Sequence, residues 1–103
     1  MDRFTGRVVV ITGGGSGLGR AAAVRLAQEG AKLALVDLST DGLAASEQAV
    51  TEAVPGTEVL TVTADVSDEA QVEGYVRATV ERFGRIDGFL NNAGIEGKQN
   101  LTE

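Results

Sequence analysis

The 103-residue sequence contains no cysteine, no histidine and no tryptophan. Without cysteine the chain can form no disulfide, no thiolate metal site and no thiol nucleophile, which suits a reducing compartment, so we expect a cytoplasmic protein. Without histidine it also lacks the most common general base and metal ligand of proteins. We therefore predict no metal site.

Basic residues and long apolar runs are also scarce. The chain has 9 Lys and Arg against 15 Asp and Glu, a net charge of −6, which does not favour binding to nucleic acid or to an anionic membrane. Residues 1–7 lack the apolar core of a secretory signal, and we expect no membrane span. With 43% hydrophobic residues, the chain is expected to build one core and one domain, 1–103.

Short apolar runs alternate with longer helical patterns along the chain, which is typical of βαβ units on a parallel sheet. The sequence predicts four strands, at 7–12, 32–37, 58–64 and 86–90, and three helices, at 17–29, 41–53 and 68–83. Right-handed crossovers then give the strand order 3-2-1-4. The predicted fold is an α/β, Rossmann-type doubly wound parallel sheet, truncated to about four strands.

Helix boundaries and buried faces follow from the same patterns. Gly30 is expected to stop the first helix, Pro55 to follow the second, and Ser67 to cap the third, which Gly84 ends. The residues predicted to face the core are Leu18, Ala22 and Leu26 in the first helix, Leu43, Ala49, Val50 and Ala53 in the second, and Val72, Val76, Val80 and Phe83 in the third.

A glycine-rich run, Thr-Gly-Gly-Gly-Ser-Gly-Leu-Gly at 12–19, joins the first strand to the first helix. A phosphate at a helix start needs backbone N–H groups pointing at it and no Cβ in the way. Gly13 would permit the tight turn, Gly17 the close approach of a pyrophosphate, and Gly19 the packing of helix on sheet. By itself the run is equally well explained as a plain glycine-rich turn.

Asp37 ends the second predicted strand, eighteen residues after Gly19, where a ribose-binding acid is expected. Its carboxylate can accept hydrogen bonds from both ribose hydroxyls, each contributing about 1.5–3 kcal/mol, and its charge repels a 2′-phosphate. Ser16 and Leu38 occupy the positions where a basic residue would accommodate that phosphate. The sequence therefore favours NAD over NADP, and the alternative is a solvated acid at a strand end.

Two further segments fall at the carboxyl ends of predicted strands. Asp65 is placed to accept a hydrogen bond from the adenine amino group and Val66 to cover the ring. The alternative for Asp65 is that it only turns the chain before the third helix. The run Asn-Asn-Ala-Gly at 91–94 follows the fourth strand. The side chains of Asn91 and Asn92 have a structural alternative, that of tying the sheet together.

Taken together, the glycine-rich run, Asp37, Asp65-Val66 and the run at 91–94 resemble the short-chain dehydrogenase/reductase family in order and spacing. The resemblance implies an oxidoreductase that transfers hydride between NAD(H) and a secondary alcohol or ketone. It also implies a set of cofactor-binding residues: Gly13, Gly15, Ser16, Gly17, Leu18, Gly19, Asp37, Asp65, Val66, Asn92, Ala93 and Gly94.

The chain departs from the family in its catalytic residues. The family uses a Tyr-x-x-x-Lys pair and a Ser, but the single tyrosine, Tyr75, is followed four residues later by Thr79, and the lysines are Lys32 and Lys98. No other residue can supply a phenol activated by a neighbouring ammonium. We therefore predict no catalytic residue here and interpret the chain as the N-terminal, cofactor-binding part of an enzyme, inactive alone and dependent on the missing half to bind substrate.

Two other functions remain open. The chain could be a stand-alone NAD-binding module without catalysis, or a half-domain that associates with another copy. The second alternative arises because Ile86, Phe89 and Leu90 lie on a predicted edge strand that needs cover, so the isolated chain is expected to be poorly stable or to self-associate.

Overall fold

Four parallel strands and three helices make up residues 3–92, the part of the chain that the computed structural model describes. The elements are β1 (Val8–Thr12), α1 (Gly17–Gln28), β2 (Lys32–Asp37), α2 (Thr40–Ala53), β3 (Val59–Thr63), α3 (Glu69–Phe83) and β4 (Gly88–Asn91). The sheet order is β3-β2-β1-β4, and each adjacent pair is parallel. This confirms the predicted Rossmann-type fold and strand order.

The core has two layers because the central strands are covered on both faces, as is usual for parallel sheets. On one face, Ile11 and Leu33 pack with residues of α1 and α2. On the other, Val10 and Ala34 pack with Tyr75 of α3. The alternation of side chains along β1 and β2 thus places one helical layer on each side of the sheet.

The observed elements begin and end within two residues of the predicted positions. The largest shift is in β4, which begins at Gly88 and extends to Asn91. The Asp87 carboxylate accepts a hydrogen bond from the Val8 N–H (2.8 Å) and forms an ion pair with Arg85. These side-chain interactions come just before the regular strand pairing of β4 with β1. At the other end, Asn91 still pairs with Thr12 in the ladder.

The predicted cap of the third helix is wrong by one residue. Asp68, not Ser67, is the N-cap of α3, and its carboxylate accepts a hydrogen bond from the Ala70 N–H (2.9 Å). The Ser67 hydroxyl turns back and donates to Asp65 (2.6 Å), so it is not available to cap the helix. Gly84 ends α3 in a left-handed conformation, as predicted.

Helix faces were predicted less accurately than strand positions. The most buried residues are Gly19, Ala23 and Ala27 in α1, Leu43, Ser46 and Val50 in α2, and Tyr75 and Thr79 in α3. Leu18 and Val80, both expected in the core, are 50% and 43% exposed, and Ala53 is also exposed. Small residues lie innermost on α1 because they let the helix axis approach the sheet closely.

Candidate functional site

The glycine-rich loop leaves the carboxyl end of β1 in a tight turn. Gly13 has φ of +70°, a conformation that residues with a Cβ rarely adopt, and the next residue, Gly14, donates its N–H to the Val36 carbonyl (3.0 Å) of the neighbouring strand. The loop is therefore fixed to the end of the sheet at its first step, and the predicted turn at Gly13 is confirmed.

Ser16 starts α1. Its hydroxyl accepts a hydrogen bond from the Gly19 N–H (3.1 Å) and donates to the Gly13 carbonyl (2.7 Å), which closes the loop on itself. A Cβ on Gly19 would overlap the Gly13 carbonyl oxygen. The predicted close packing at Gly19 is thus also confirmed.

Two backbone N–H groups at the start of α1 are available to a ligand. The N–H groups of Gly17 and Leu18 precede the first intrahelical bond, from Arg20 to Ser16, and have no partner among the described residues. A Cβ on Gly17 would meet nothing within 4 Å. The helix dipole adds about 0.3–1 kcal/mol in favour of an anion here. The loop therefore offers an open, donor-rich position for a phosphate group.

Asp37 lies at the end of β2, beside this loop. Its Oδ2 accepts a hydrogen bond from the Gly15 N–H (2.9 Å) and its Oδ1 from the Ser39 N–H (3.0 Å). Each oxygen retains a lone pair for a further donor. Leu38, the next residue, is 69% exposed and brings no positive charge to the carboxylate. The structure thus fixes the carboxylate beside the glycine-rich loop and leaves acceptor capacity on both oxygens.

Asp65 makes the local hydrogen bonds expected of a residue that turns the chain before α3. Its Oδ1 accepts hydrogen bonds from the Ser67 hydroxyl (2.6 Å) and from the Ser67 N–H (2.9 Å), and these bonds lower the pKa of the Asp65 carboxyl. Asp65 therefore does turn the chain towards α3, whether or not it also contacts a ligand. Val66 is partly buried and packs against the core layer that contains Tyr75.

The end of β4 is joined to the end of β1 by side chains. The Thr12 hydroxyl donates to Asn91 Oδ1 (2.7 Å), so Asn91 ties the sheet together, as the structural alternative predicted. Asn92 is 3% exposed, and its Nδ2 has no partner among the described residues. Ala93 and Gly94, also predicted to lie beside the cofactor, fall outside the described residues.

A cavity of about 530 Å³ opens at this same edge of the sheet. Its lining includes the strand-end residues Thr12 and Asn91 together with Val66, Tyr75 and Phe89. Tyr75 is 5% exposed, and burial raises the pKa of its phenol. Tyr75 therefore belongs to the buried core layer between α3 and the sheet.

Within residues 3–92, no group of three or more acidic side chains is arranged to hold a metal ion. The same residues contain no helix long and apolar enough to cross a membrane. Two side chains that contact the glycine-rich loop, Arg20 and Ser46, were not predicted from the sequence. The signal for Ser46 was a polar residue on the same helical face as Leu43 and Val50.

Comparison with known proteins agrees with this architecture. Residues 7–103 match the model of the short chain dehydrogenase family, and the chain belongs to that family. It is 77% identical over 101 residues to levodione reductase of Leifsonia aquatica, covering 98% of this chain and 38% of that relative. Two stretches of the sequence, Arg-Phe-Gly-Arg-Ile-Asp-Gly-Phe at 82–89 and Ile-Glu-Gly-Lys-Gln-Asn at 95–100, predict this narrower likeness, which is confirmed.

Solved structures give the same result. A crystal structure of levodione reductase superposes with a TM-score of 0.83 at 76% identity, over 84% of this chain and 34% of that one. A crystal structure of NAD⁺-bound xylitol dehydrogenase superposes with a TM-score of 0.80 at 39% identity, over 84% of this chain and 33% of that one. The chain spans less than two fifths of the length of these relatives.

Proposed function

We propose that residues 1–103 are the NAD-binding N-terminal domain of an oxidoreductase that interconverts secondary alcohols and ketones. The observation that carries the proposal is the pairing of two free N–H groups, on Gly17 and Leu18, with the Asp37 carboxylate at the end of the next strand. A dinucleotide carries on one molecule both groups that these residues would recognise, a pyrophosphate and a ribose diol.

The proposed contacts follow from the chemistry of each group. Gly17 and Leu18 donate to the pyrophosphate, and Asp37 accepts from the adenosine ribose hydroxyls. Asp65 and Val66 bind the adenine, and Asn92, Ala93 and Gly94 pass beside the cofactor. Gly13, Gly15, Ser16 and Gly19 shape the loop. The NAD⁺-bound xylitol dehydrogenase, which shares the fold, supports NAD as the ligand.

The cofactor is proposed to be NAD and not NADP. A 2′-phosphate would come close to the Asp37 carboxylate, where two negative charges repel. Ser16 uses its hydroxyl within the loop, and Leu38 is apolar, so neither position supplies a compensating cation.

When bound, NAD accepts or delivers the hydride. The chain's own residues bind and orient its adenosine half. The proton transfer to or from a small alcohol or ketone would need a tyrosine with a lowered pKa, which residues 1–103 do not provide. Levodione reductase is more than twice as long as this chain, so such residues have room outside the matched region of that relative.

Titration of the chain with NADH, NADPH and ADP-ribose tests the proposal. All the proposed contacts are to the adenosine and pyrophosphate, so NADH and ADP-ribose are expected to bind alike. Their affinities should fall between micromolar and millimolar, about 4–8 kcal/mol, with NADPH much weaker. Equal binding of NADPH would contradict the NAD assignment, and no binding of any of the three would refute the site.

A chimera tests the enzymatic part separately. Residues 1–92 replace the corresponding residues of the Leifsonia aquatica levodione reductase, to which the chain is 77% identical. We expect NADH-dependent turnover of levodione by the chimera and none by the 103-residue chain. A chimera that folds and binds NADH without turnover would instead favour a non-catalytic NAD-binding module.

A further inference from the structure

Two side chains outside the glycine-rich motif hold the loop's carbonyl groups. Ser46, in the middle of α2, is fully buried and donates its hydroxyl proton to the Gly14 carbonyl (2.6 Å). Arg20, in the first turns of α1, donates from Nη2 to the Gly15 carbonyl (3.1 Å) and from Nε to the Ser46 hydroxyl oxygen (3.1 Å). We call Arg20 and Ser46 the loop clamp.

Together with Asp37, the clamp fixes two successive peptide planes. The plane between Gly14 and Gly15 is held at its carbonyl by Ser46 and at its N–H by Asp37. The next plane is held at the Gly15 carbonyl by Arg20 and at the Ser16 N–H by the Gly13 carbonyl. A peptide plane fastened at both ends cannot rotate without breaking a hydrogen bond.

A buried serine on this face of α2 needs a reason beyond packing. Leu43 and Val50 share the buried face, and burying a hydroxyl among apolar groups is unfavourable unless it is hydrogen-bonded. Ser46 uses its proton for the Gly14 carbonyl and accepts from Arg20, which satisfies it. The hydrogen bond to the loop therefore accounts for a serine at this position.

The start of α2 also lies directly against the loop. A Cβ on Gly42 would come within 2.7 Å of the Gly15 carbonyl oxygen, and one on Gly15 within 2.9 Å of the Gly42 carbonyl carbon. Ser39, the cap of α2, donates its N–H to Asp37. Helix α2 thus positions both the loop and the proposed ribose-binding acid.

We propose that Arg20 and Ser46 are positioning residues for the dinucleotide site, which hold the loop in the conformation that directs the Gly17 and Leu18 N–H groups outward. The inference rests on the proposed function, because a pyrophosphate is the group that those N–H groups would bind. Neither side chain need touch the cofactor.

Ser46→Ala and Arg20→Met test the clamp in the 103-residue chain and in the chimera with levodione reductase. Each substitution removes one hydrogen bond to the loop and also the hydrogen bond between Arg20 and Ser46. We expect amide hydrogen exchange at Gly15 and Ser16 to become about tenfold faster, and the dissociation constant for ADP-ribose to rise about three- to tenfold.

Thr79→Val is the matched control. Thr79 is as fully buried as Ser46, and its hydroxyl donates to the Tyr75 carbonyl, but it lies on α3, on the other face of the sheet. This variant should lose stability as Ser46→Ala does, yet keep the exchange rates of the loop and the affinity for ADP-ribose. If Thr79→Val changed the loop exchange rates and the affinity for ADP-ribose as much as Ser46→Ala does, both effects would follow from lost stability. That result would overturn the inference.

The failure of this inference can be distinguished from failure of the proposed function. If the unmodified proteins do not bind ADP-ribose, the proposed function is refuted, and unchanged loop exchange in the variants would refute the clamp as well. If the unmodified proteins bind and Ser46→Ala binds equally tightly, the clamp alone is refuted.

Discussion

In the proposed function, Asp37 determines the choice between NAD and NADP. Its carboxylate also has a structural role. Its carboxylate accepts hydrogen bonds from Gly15 and Ser39, which fixes the loop to the start of α2. The proposed ribose contact could be predicted from the position of Asp37 at a strand end. The contact with Gly15 could not, because it depends on how two segments meet in three dimensions.

Asp37→Asn is expected to weaken NADH binding and to remove the discrimination against NADPH. Asparagine keeps one acceptor oxygen but loses the charge, so about 1.5–3 kcal/mol of binding free energy should be lost for NADH. Calorimetric titration with both nucleotides measures the two affinities. Asp41→Asn removes a charge from the same segment and should change neither; preserved selectivity in Asp37→Asn would contradict the role of Asp37.

Asp87 shows a residue whose importance appears only in the structure. Its Oδ1 accepts hydrogen bonds from the Arg85 guanidinium, and its Oδ2 accepts one from the Val8 N–H. The interaction with Arg85 lowers the pKa of the carboxyl most, and the bond from Val8 comes second. Both interactions favour the ionised form, so the pKa of the Asp87 carboxyl lies below its ordinary value. Asp87 thereby connects the start of β4 to the start of β1.

The lowered pKa predicts a pH dependence of stability. A carboxyl with a depressed pKa in the folded state contributes stability that is complete above its unfolded pKa of about 3.9 and is lost as pH falls through the folded value. Urea unfolding at several pH values should therefore show Asp87→Asn less stable than the unmodified chain at pH 7, with the difference shrinking below about pH 4. A difference that stays constant down to pH 2 would contradict this account.

At the scale of elements, strands were easier to predict from the sequence than helix faces. The apolar runs of β1 and β2 mark strands because both of their faces are buried. On the helices, the sequence pattern favoured the largest apolar residues, whereas the residues that α1 buries are the small ones, Gly19, Ala23 and Ala27. How closely a helix approaches the sheet determines which of its residues are buried. The sequence pattern carries no information about that distance.

Two glycine substitutions separate folding from binding at the start of α1. Gly19→Ala should destabilise the chain by about 1–3 kcal/mol, because the new Cβ overlaps the Gly13 carbonyl. Gly17→Ala meets open space, so stability should change by less than about 1 kcal/mol. ADP-ribose binding should nevertheless fall sharply, because the methyl group obstructs the pyrophosphate.

Gly74→Ala is the control for these two variants. Gly74 is exposed in the middle of α3, where a Cβ also meets nothing within 4 Å. The substitution should stabilise the chain by about 0.5–1 kcal/mol and leave binding unchanged. Thermal unfolding and ADP-ribose titration measure both quantities, and full binding by Gly17→Ala would show that the ligand does not approach there.

At the scale of the whole molecule, the described part of the chain has an incompletely covered strand at one edge of its sheet. Among residues 3–92, β4 pairs with β1 on one side, and Phe89 is 55% exposed. An exposed apolar edge strand promotes association between chains. The family comparison fits this observation, because more than half of levodione reductase lies outside the region that this chain matches.

Light scattering across a dilution series should show that the 103-residue chain self-associates. Phe89→Ser is expected to reduce the apparent mass at high concentration. Leu38→Ser, which removes a large residue that is 69% exposed elsewhere on the surface, should leave it unchanged. A monodisperse monomer at every concentration would contradict self-association through β4.

The measurement that tests the central claim most directly is a ¹H–¹⁵N NMR titration of the ¹⁵N-labelled chain with ADP-ribose. The account predicts saturable shifts at the Gly17 and Leu18 amides and at residues next to Asp37. Signals from the opposite end of the sheet, around Gly30 and Gly56, should stay in place. Shifts that leave Gly17 and Leu18 unchanged would contradict the claim that this loop holds a dinucleotide.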